Sequence, residues 1–333
     1  MSIKKIINDN STNPHQIIPI KYKWAREYYL CGIANTWIPE EISMIADIEQ
    51  WKSNKILTSS ERNLIIKNLS FFSTAESLTA NNIVLSAYKH ITNPECRQYM
   101  LRQAFEEAVH TDTFIYCCES LGLNPEEIYT AYLNIPSIKE KDDFVIKLTS
   151  SILDPNFKTD TIENIKELVK NLIGFYVIME GIFFYAGFAM ILAIKRQNKM
   201  VGIGQQFEYI MRDESIHLAY GCDVIMTIIN DYPEIWTKEF KDEITNLIDE
   251  AVKLEILYIY DACEVEVAGI NQKQFCNYIY YIADRRLERL GLNKIYNIDN
   301  PFIWMSQSID LPKEKNFFET RVTEYQTASS LEW

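Results

Sequence analysis

The pattern Glu-x-x-His occurs twice in this 333-residue chain, and each copy trails a lone glutamate by about thirty positions. The first set is Glu76 with Glu107-Ala108-Val109-His110, and the second is Glu180 with Glu214-Ser215-Ile216-His217. The lags, 107 − 76 = 31 and 214 − 180 = 34, suit one helix, a turn and part of an antiparallel partner. Residues three apart on a helix share a face, so each pair offers a carboxylate and an imidazole to one point. Four carboxylates and two imidazoles make the ligand set of a two-metal site inside a four-helix bundle, a pattern established for di-iron and di-manganese proteins. Few folds bring six such groups together.

Short motifs arise by chance, so their context decides. Glu180 is the only charged residue between Asn171 and Ile194, and Glu76 follows the apolar pair Phe71-Phe72. A charge in such surroundings is costly unless it is paired or bound to a metal. Two accidental surface pairs would leave Glu180 without a reason. Four carboxylates carry four negative charges, which two divalent cations cancel. The chemistry this implies is that of two redox metals, open to dioxygen, in a dry core.

The rest of the chain reads as all-α. Only ten glycines and ten prolines punctuate it, and no sustained two-residue alternation suggests a sheet. Helical patterns run over about 59–90, from Pro94 to near Gly122, and over about 161–197, 204–230, 233–263 and 272–290. A more polar connection with Pro125, Pro136 and Pro155 is expected between the second and third. The stretch from Phe175 to Ile194 has the length of a membrane span, but Glu180 inside it favours a buried bundle helix and no membrane. A net charge of −13 and a pI near 4.9 argue against a nucleic-acid partner, since phosphate binding needs clustered Lys and Arg. Seven irregularly spaced cysteines read as free thiols in a reducing compartment, and Met1-Ser2-Ile3-Lys4-Lys5 has no signal-peptide core, so the expected location is cytoplasmic. The expected organisation is a helical domain over 1–300 and a tail over 301–333 with a few apolar anchors, suited to docking on a partner.

At this point the residues resemble a known family, the small, radical-generating subunit of class I ribonucleotide reductase. The resemblance spans nearly the whole chain. It rests on Thr36-Trp37-Ile38-Pro39-Glu40-Glu41, Phe72-Ser73-Thr74-Ala75-Glu76-Ser77-Leu78, Glu107 to His110, Glu180 with Phe184 and Phe188, and Arg212-Asp213-Glu214-Ser215-Ile216-His217. It implies a ferritin-like fold, a homodimer and a large catalytic partner that reduces ribonucleotides. It implies that Glu76, Glu107 and His110 hold one metal, that Glu180, Glu214 and His217 hold the other, and that Glu107 and Glu214 bridge.

One departure from the commonest form of the family carries information. There, a tyrosine four residues beyond the first metal-binding histidine becomes a stable radical; here that position is Phe114. Phenylalanine has no O–H to lose and its ring is much harder to oxidise. Tyr116 and Tyr185 are nearby in sequence, but neither occupies the position. The chain thus resembles the class Ic branch, in which a high-valent manganese–iron pair formed with dioxygen stands in for the radical. Glu76, where many relatives carry Asp, points the same way. A two-iron or two-manganese cofactor stays open, because Mn(II) and Fe(II) prefer similar ligands.

The resemblance also implies an electron path. Trp37 and Asp213 match the residues linking His110 to the surface, with Asp213 accepting from the distal nitrogen of His110. Tyr325, with Glu319 as a proton-handling neighbour, matches the tail tyrosine that relays an oxidising equivalent to the large subunit. Tyr209 matches a position that helps deliver an activating electron, and Phe184, Phe188 and Ile210 wall the metal pocket. The alternatives are a dimetal oxidase or hydroxylase with its own bound ligand, an inactive paralogue, and an iron-storage or purely structural bundle.

Overall fold

Side-chain caps and prolines at first helical positions start most of the long helices. The computed structural model describes residues 5–9, 17–53, 55–82 and 86–305. Within them lie α1 (Lys23–Ala34), α2 (Ile45–Lys52), α3 (Ser59–Asn82), α4 (Tyr88–His90), α5 (Pro94–Leu121), α6 (Pro125–Tyr129), α7 (Ala131–Asn134), α8 (Pro136–Thr149) and α9 (Ile162–Leu172). A π-helical run, Ile173–Phe183, joins α9 to α10 (Tyr185–Lys195), and α11 (Val201–Asp231), α12 (Lys238–Ala262) and α13 (Gln272–Arg289) follow. Asn93 caps α5, Thr161 caps α9, Thr237 caps α12, and Asn271 with Gln274 forms a reciprocal capping box on α13. Gly122 ends α5 in the left-handed conformation that glycine adopts without strain. Among the described residues the only β feature is an isolated bridge between Val267 and Ile270. The architecture is a ferritin-like helical bundle.

Helix α3 packs along α5, and the π-helix packs along α11, which also meets α5 and α10. These four segments enclose the core, with α12 and α13 against the π-helix and α10. Every residue from Asn171 to Ile194 is buried, so the longest apolar stretch is the heart of the bundle. Gly221 on α11 admits the ring of Tyr176: a Cβ there would lie 2.1 Å from Tyr176 Cγ. The N-terminal part is tied down by polar contacts. Asp47 of α2 accepts from the backbone of Gly202 and Ile203, closing the start of α11, and Gln206 donates to the carbonyl of Pro39.

Two expectations need correction. The connection after α5 is mostly helical, as α6, α7 and α8. Pro125 and Pro136 stand in the first turn of their helices, where the missing N–H has no bond to lose, so they start structure there. The pattern over 59–90 is helical over 59–82 and again over 86–90, with 83–85 outside the described residues. The pattern over 161–197 is helical from Ile162 to Lys195, but its middle is π and not α. All seven cysteines are buried and free. Glu319 and Tyr325 lie outside the described residues.

Candidate metal centre

The six ligand candidates enter from four walls. Glu76 comes from α3, Glu107 and His110 from α5, Glu180 from the π-helix, and Glu214 and His217 from α11. All six side chains are fully buried. Nδ1 of His110 lies 3.1 Å from Glu214, 3.4 Å from Glu76 and 3.6 Å from Glu107. Nδ1 of His217 lies 3.0 Å from Glu107, 3.4 Å from Glu214 and 4.0 Å from Glu180. The groups form two sets, Glu76–Glu107–His110–Glu214 and Glu107–Glu180–Glu214–His217, each with ligand atoms within 4.8 Å of one another. Glu107 and Glu214 belong to both, the arrangement of bridging carboxylates.

The electrostatics explain why such a cluster needs cations. Burial pushes the Glu76 and Glu180 carboxyls well above their ordinary range. Burial also opposes charge on both imidazoles, but the carboxylates around them, Glu76 foremost at His110 and Glu214 at His217, overcome it and hold both well above the usual histidine value. Both oxygens of Glu76, Glu107 and Glu214, one of Glu180 and Nδ1 of both histidines have no hydrogen-bond partner among the described residues. Buried polar atoms are almost always partnered. Nine orphaned donor atoms aimed at two points fit two divalent ions with nitrogen and oxygen ligands.

The distal nitrogens face outward into carboxylates. Nε2 of His110 stands 3.4 Å from Asp213 Oδ2, and Nε2 of His217 stands 2.9 Å from Glu106 Oε2. With ions bound, each Nε2 would keep the proton for its outer carboxylate and each Nδ1 would present its lone pair to the centre. The two outer carboxylates have different supports. Asp213 accepts the Trp37 indole N–H at 2.7 Å and is held by Arg212, whereas Glu106 accepts from Arg102 at 2.9 Å. Burial opposes charge on Asp213, but the bond to His110 prevails and keeps its carboxyl below the ordinary value. Gln103 donates to Glu180 at 3.1 Å, and Tyr176 donates to Gln103 at 3.1 Å.

A wall of phenylalanine covers the α3 side. Phe72 is its hub, with ring centres of Phe184, Phe207, Phe188 and Phe114 at 4.9, 5.1, 5.2 and 5.6 Å. Phe114 is fully buried and stacks on Phe72; Ile210 is also buried, on α11. Tyr209 is partly buried and meets the Trp37 ring edge-on at 5.2 Å. Glu106, Gln103 and Arg102 were missed by the sequence reading. The signal for Glu106 was present: the doublet Glu106-Glu107 matches Asp213-Glu214, an acid just before each shared glutamate.

Comparison with known proteins gives a consistent outcome. Residues 14–301 match the family described as "Ribonucleotide reductase, small chain". The chain is 57% identical over 333 residues to the ribonucleoside-diphosphate reductase subunit beta of Chlamydia pneumoniae, covering 100% of this chain and 96% of that protein. It is 29% identical to the ribonucleoside-diphosphate reductase small chain of Nicotiana tabacum, covering 94% and 88%. Among solved structures, the ribonucleotide reductase R2 subunit of Clostridium botulinum superposes with a TM-score of 0.82 at 30% identity, covering 92% and 94%.

Proposed function

The chain belongs to the ribonucleotide reductase small-chain family, and from that premise we propose that it holds a manganese–iron pair whose oxidising equivalent starts a reversible thiyl radical in a large partner subunit. When bound, the pair supplies oxidising power drawn from dioxygen. The observation that carries the manganese–iron reading is Phe114. It stands one turn beyond His110 in a wall of rings that have no O–H to lose, so the equivalent has no phenol to settle on there.

In this reading Glu76, Glu107 and His110 hold one ion and Glu180, Glu214 and His217 the other, with Glu107 and Glu214 shared. Asp213 fixes the ring of His110, and Trp37 is the first oxidisable group outward from it. The hydrogen bond from Trp37 to Asp213 supports that role, as does the 6.3 Å between the Trp37 and His110 ring centres. Tyr209, against the free face of Trp37, delivers an activating electron. Phe184, Phe188 and Ile210 exclude water from the pocket. The tail, expected over 301–333, has Phe302 and Met305 packed on the bundle, and the residues beyond them dock on the large subunit, where Tyr325 relays the equivalent and Glu319 manages its proton. A homodimer is supported by an apolar surface on two packed helices: Leu30 and Ile33 of α1 and Leu101, Phe105 and Ile115 of α5 are all exposed.

The test is ribonucleoside diphosphate reduction with the cognate large subunit, comparing protein loaded with iron alone and with manganese plus iron, each exposed to oxygen. Activity that needs both metals is expected. Full activity with iron alone overturns the mixed pair, and none under either loading favours an oxidase acting on its own ligand. Tyr325→Phe is expected to keep metal oxidation and abolish turnover.

A further inference from the structure

The side of the centre away from the phenylalanine wall is lined by oxidisable rings. From Glu180 the hydrogen bonds run to Gln103 and on to the hydroxyl of Tyr176, each at 3.1 Å. The ring of Tyr176 is 6.0 Å from that of Tyr220, and Tyr220 is 4.4 Å from Tyr99. Both then meet Tyr28, at 6.0 and 5.7 Å, and Trp24 lies 5.9 Å from Tyr220 and 6.3 Å from Tyr28. Tyr176, Tyr220 and Tyr99 are fully buried, whereas Tyr28 and Trp24 on α1 are partly exposed. A connected file of electron-rich rings thus leads from a ligand candidate to the surface. It does not include Trp37 or Tyr209.

We propose that Tyr176, Tyr220, Tyr99, Tyr28 and Trp24 form a second electron route, through which a small one-electron reductant at the surface re-reduces the oxidised centre. The proposal rests on the reading of the centre as a dimetal oxidant. Core packing alone would be served equally well by phenylalanine, which the chain uses freely on the other wall. Packing also leaves unexplained why the file is hydrogen-bonded to Glu180 at its inner end.

Proton acceptors sort the members into stepping stones and a terminus. The Tyr176 hydroxyl donates to an amide oxygen and that of Tyr220 to the carbonyl of Cys96, both poor bases. The Tyr99 hydroxyl has no partner among the described residues. Only Tyr28 donates to a carboxylate, Asp223 at 2.8 Å, which Arg289 holds from its other oxygen. Oxidation of Tyr28 therefore sends its proton to Asp223, and reduction returns it, so an electron vacancy comes to rest near the surface. Over the whole transfer the centre gains one electron, the external reductant loses one, and the reductant's own proton goes to solvent. Lys21 and Lys23 are exposed on either side of Tyr22, and Arg289 is half-exposed beside Asp223. Ascorbate, a small one-electron donor, is the probe for this partly exposed end of the file.

The experiment uses the full chain, loaded with manganese and iron and oxidised with dioxygen. It is then mixed anaerobically with ascorbate, and the absorbance of the oxidised centre is followed by stopped flow. In the Tyr99→Phe/Tyr220→Phe double variant, which cuts both branches while keeping the rings, oxidation by dioxygen is retained and reduction by ascorbate falls roughly tenfold or more. Tyr28→Phe/Trp24→Phe, remote from every ligand candidate, gives the same slowing. Rapid-freeze electron paramagnetic resonance of the parent is expected to show a tyrosyl signal that Tyr28→Phe removes. Normal oxidation with an unchanged ascorbate rate in both double variants overturns the route, as does slowing by Trp37→Phe alone. A parent that never oxidises under dioxygen removes the dimetal reading, and the route with it.

Discussion

Glu106 stands 2.9 Å from Nε2 of His217, the counterpart of Asp213 beside Nε2 of His110. Each acid comes from the helix that carries the other half's histidine: Glu106 precedes Glu107 on α5, and Asp213 precedes Glu214 on α11. Each half of the centre is therefore steadied by the helix of its opposite. The supports differ in kind, since Asp213 meets an oxidisable indole and Glu106 a guanidinium, which is far harder to oxidise.

Glu106→Ala is expected to free the His217 ring and weaken metal binding about 10- to 100-fold, the usual scale for losing the partner of a ligating histidine. Glu106→Gln keeps an acceptor and recovers most of it. Metal content after dialysis against a graded chelator reads both variants; equal retention in all three proteins would contradict the positioning role.

Glu214→Ala removes a shared carboxylate and is expected to lower the content of both ions, whereas His217→Ala is expected to lower chiefly one. Elemental analysis of the purified proteins distinguishes these outcomes. Stripping the metals from the parent should lower its melting temperature, because ions that bind only the folded chain stabilise it, by about 2.7 kcal/mol at a hundred times the dissociation constant.

Trp37→Phe takes the 2.7 Å donor from Asp213, which stays buried. The expected loss of stability is about 1–3 kcal/mol, with metal content retained. Turnover with the large subunit should fall to background. Unfolding curves and the reductase assay together test this, and near-normal turnover would remove Trp37 from the path.

Phe72→Ala takes out the hub of the phenylalanine wall. Truncating a core aromatic ring costs about 3–5 kcal/mol, and Phe72 stands one helical turn before Glu76. The expected result is a lower melting temperature and a shorter lifetime of the oxidised centre, measured optically. A lifetime equal to that of the parent would show that the wall does not shield the centre.

Asp142 offers a pH signature away from the metals. Burial raises its carboxyl to about 7, and neither oxygen has a hydrogen-bond partner among the described residues. The folded chain therefore keeps a proton that the unfolded chain loses near pH 4, so stability falls as pH rises between about 4 and 7. Asp142→Asn should match the parent near pH 4 and exceed it at about pH 8 by up to about 4 kcal/mol, since each tenfold change in proton affinity is worth about 1.4 kcal/mol. Urea unfolding at the two pH values checks it, and a constant difference would exclude the buried charge as its cause.

The ligand candidates were legible because helical spacing and an isolated charge are local properties of sequence. Glu180 could be singled out only because nothing else around it is charged. The π geometry was not legible, since the residues from Ile173 to Phe183, apolar but for Glu180, have no periodicity to separate one helical pitch from another. Helices α6 to α8 were read as connection because their prolines were weighed as breaks and not as first-turn residues. Glu106 was overlooked because the doublet was read for its second member. The Tyr176 file required the fold, for it joins α1, α5, the π-helix and α11, whose rings are far apart in sequence.

The last described residues have a geometric consequence for assembly. Phe302 packs on Phe275 and Tyr278, Trp304 lies under Arg196, and Met305 is fully buried, so the described chain ends at a pinned point. Tyr325 follows Met305 by 325 − 305 = 20 residues. Twenty residues span at most about 70 Å when fully drawn out. Met305 is thus the peg of a leash: any surface that receives Tyr325 lies inside a sphere of that radius. Deleting residues between 306 and 324 would shrink the sphere, and with it the set of surfaces that Tyr325 can reach.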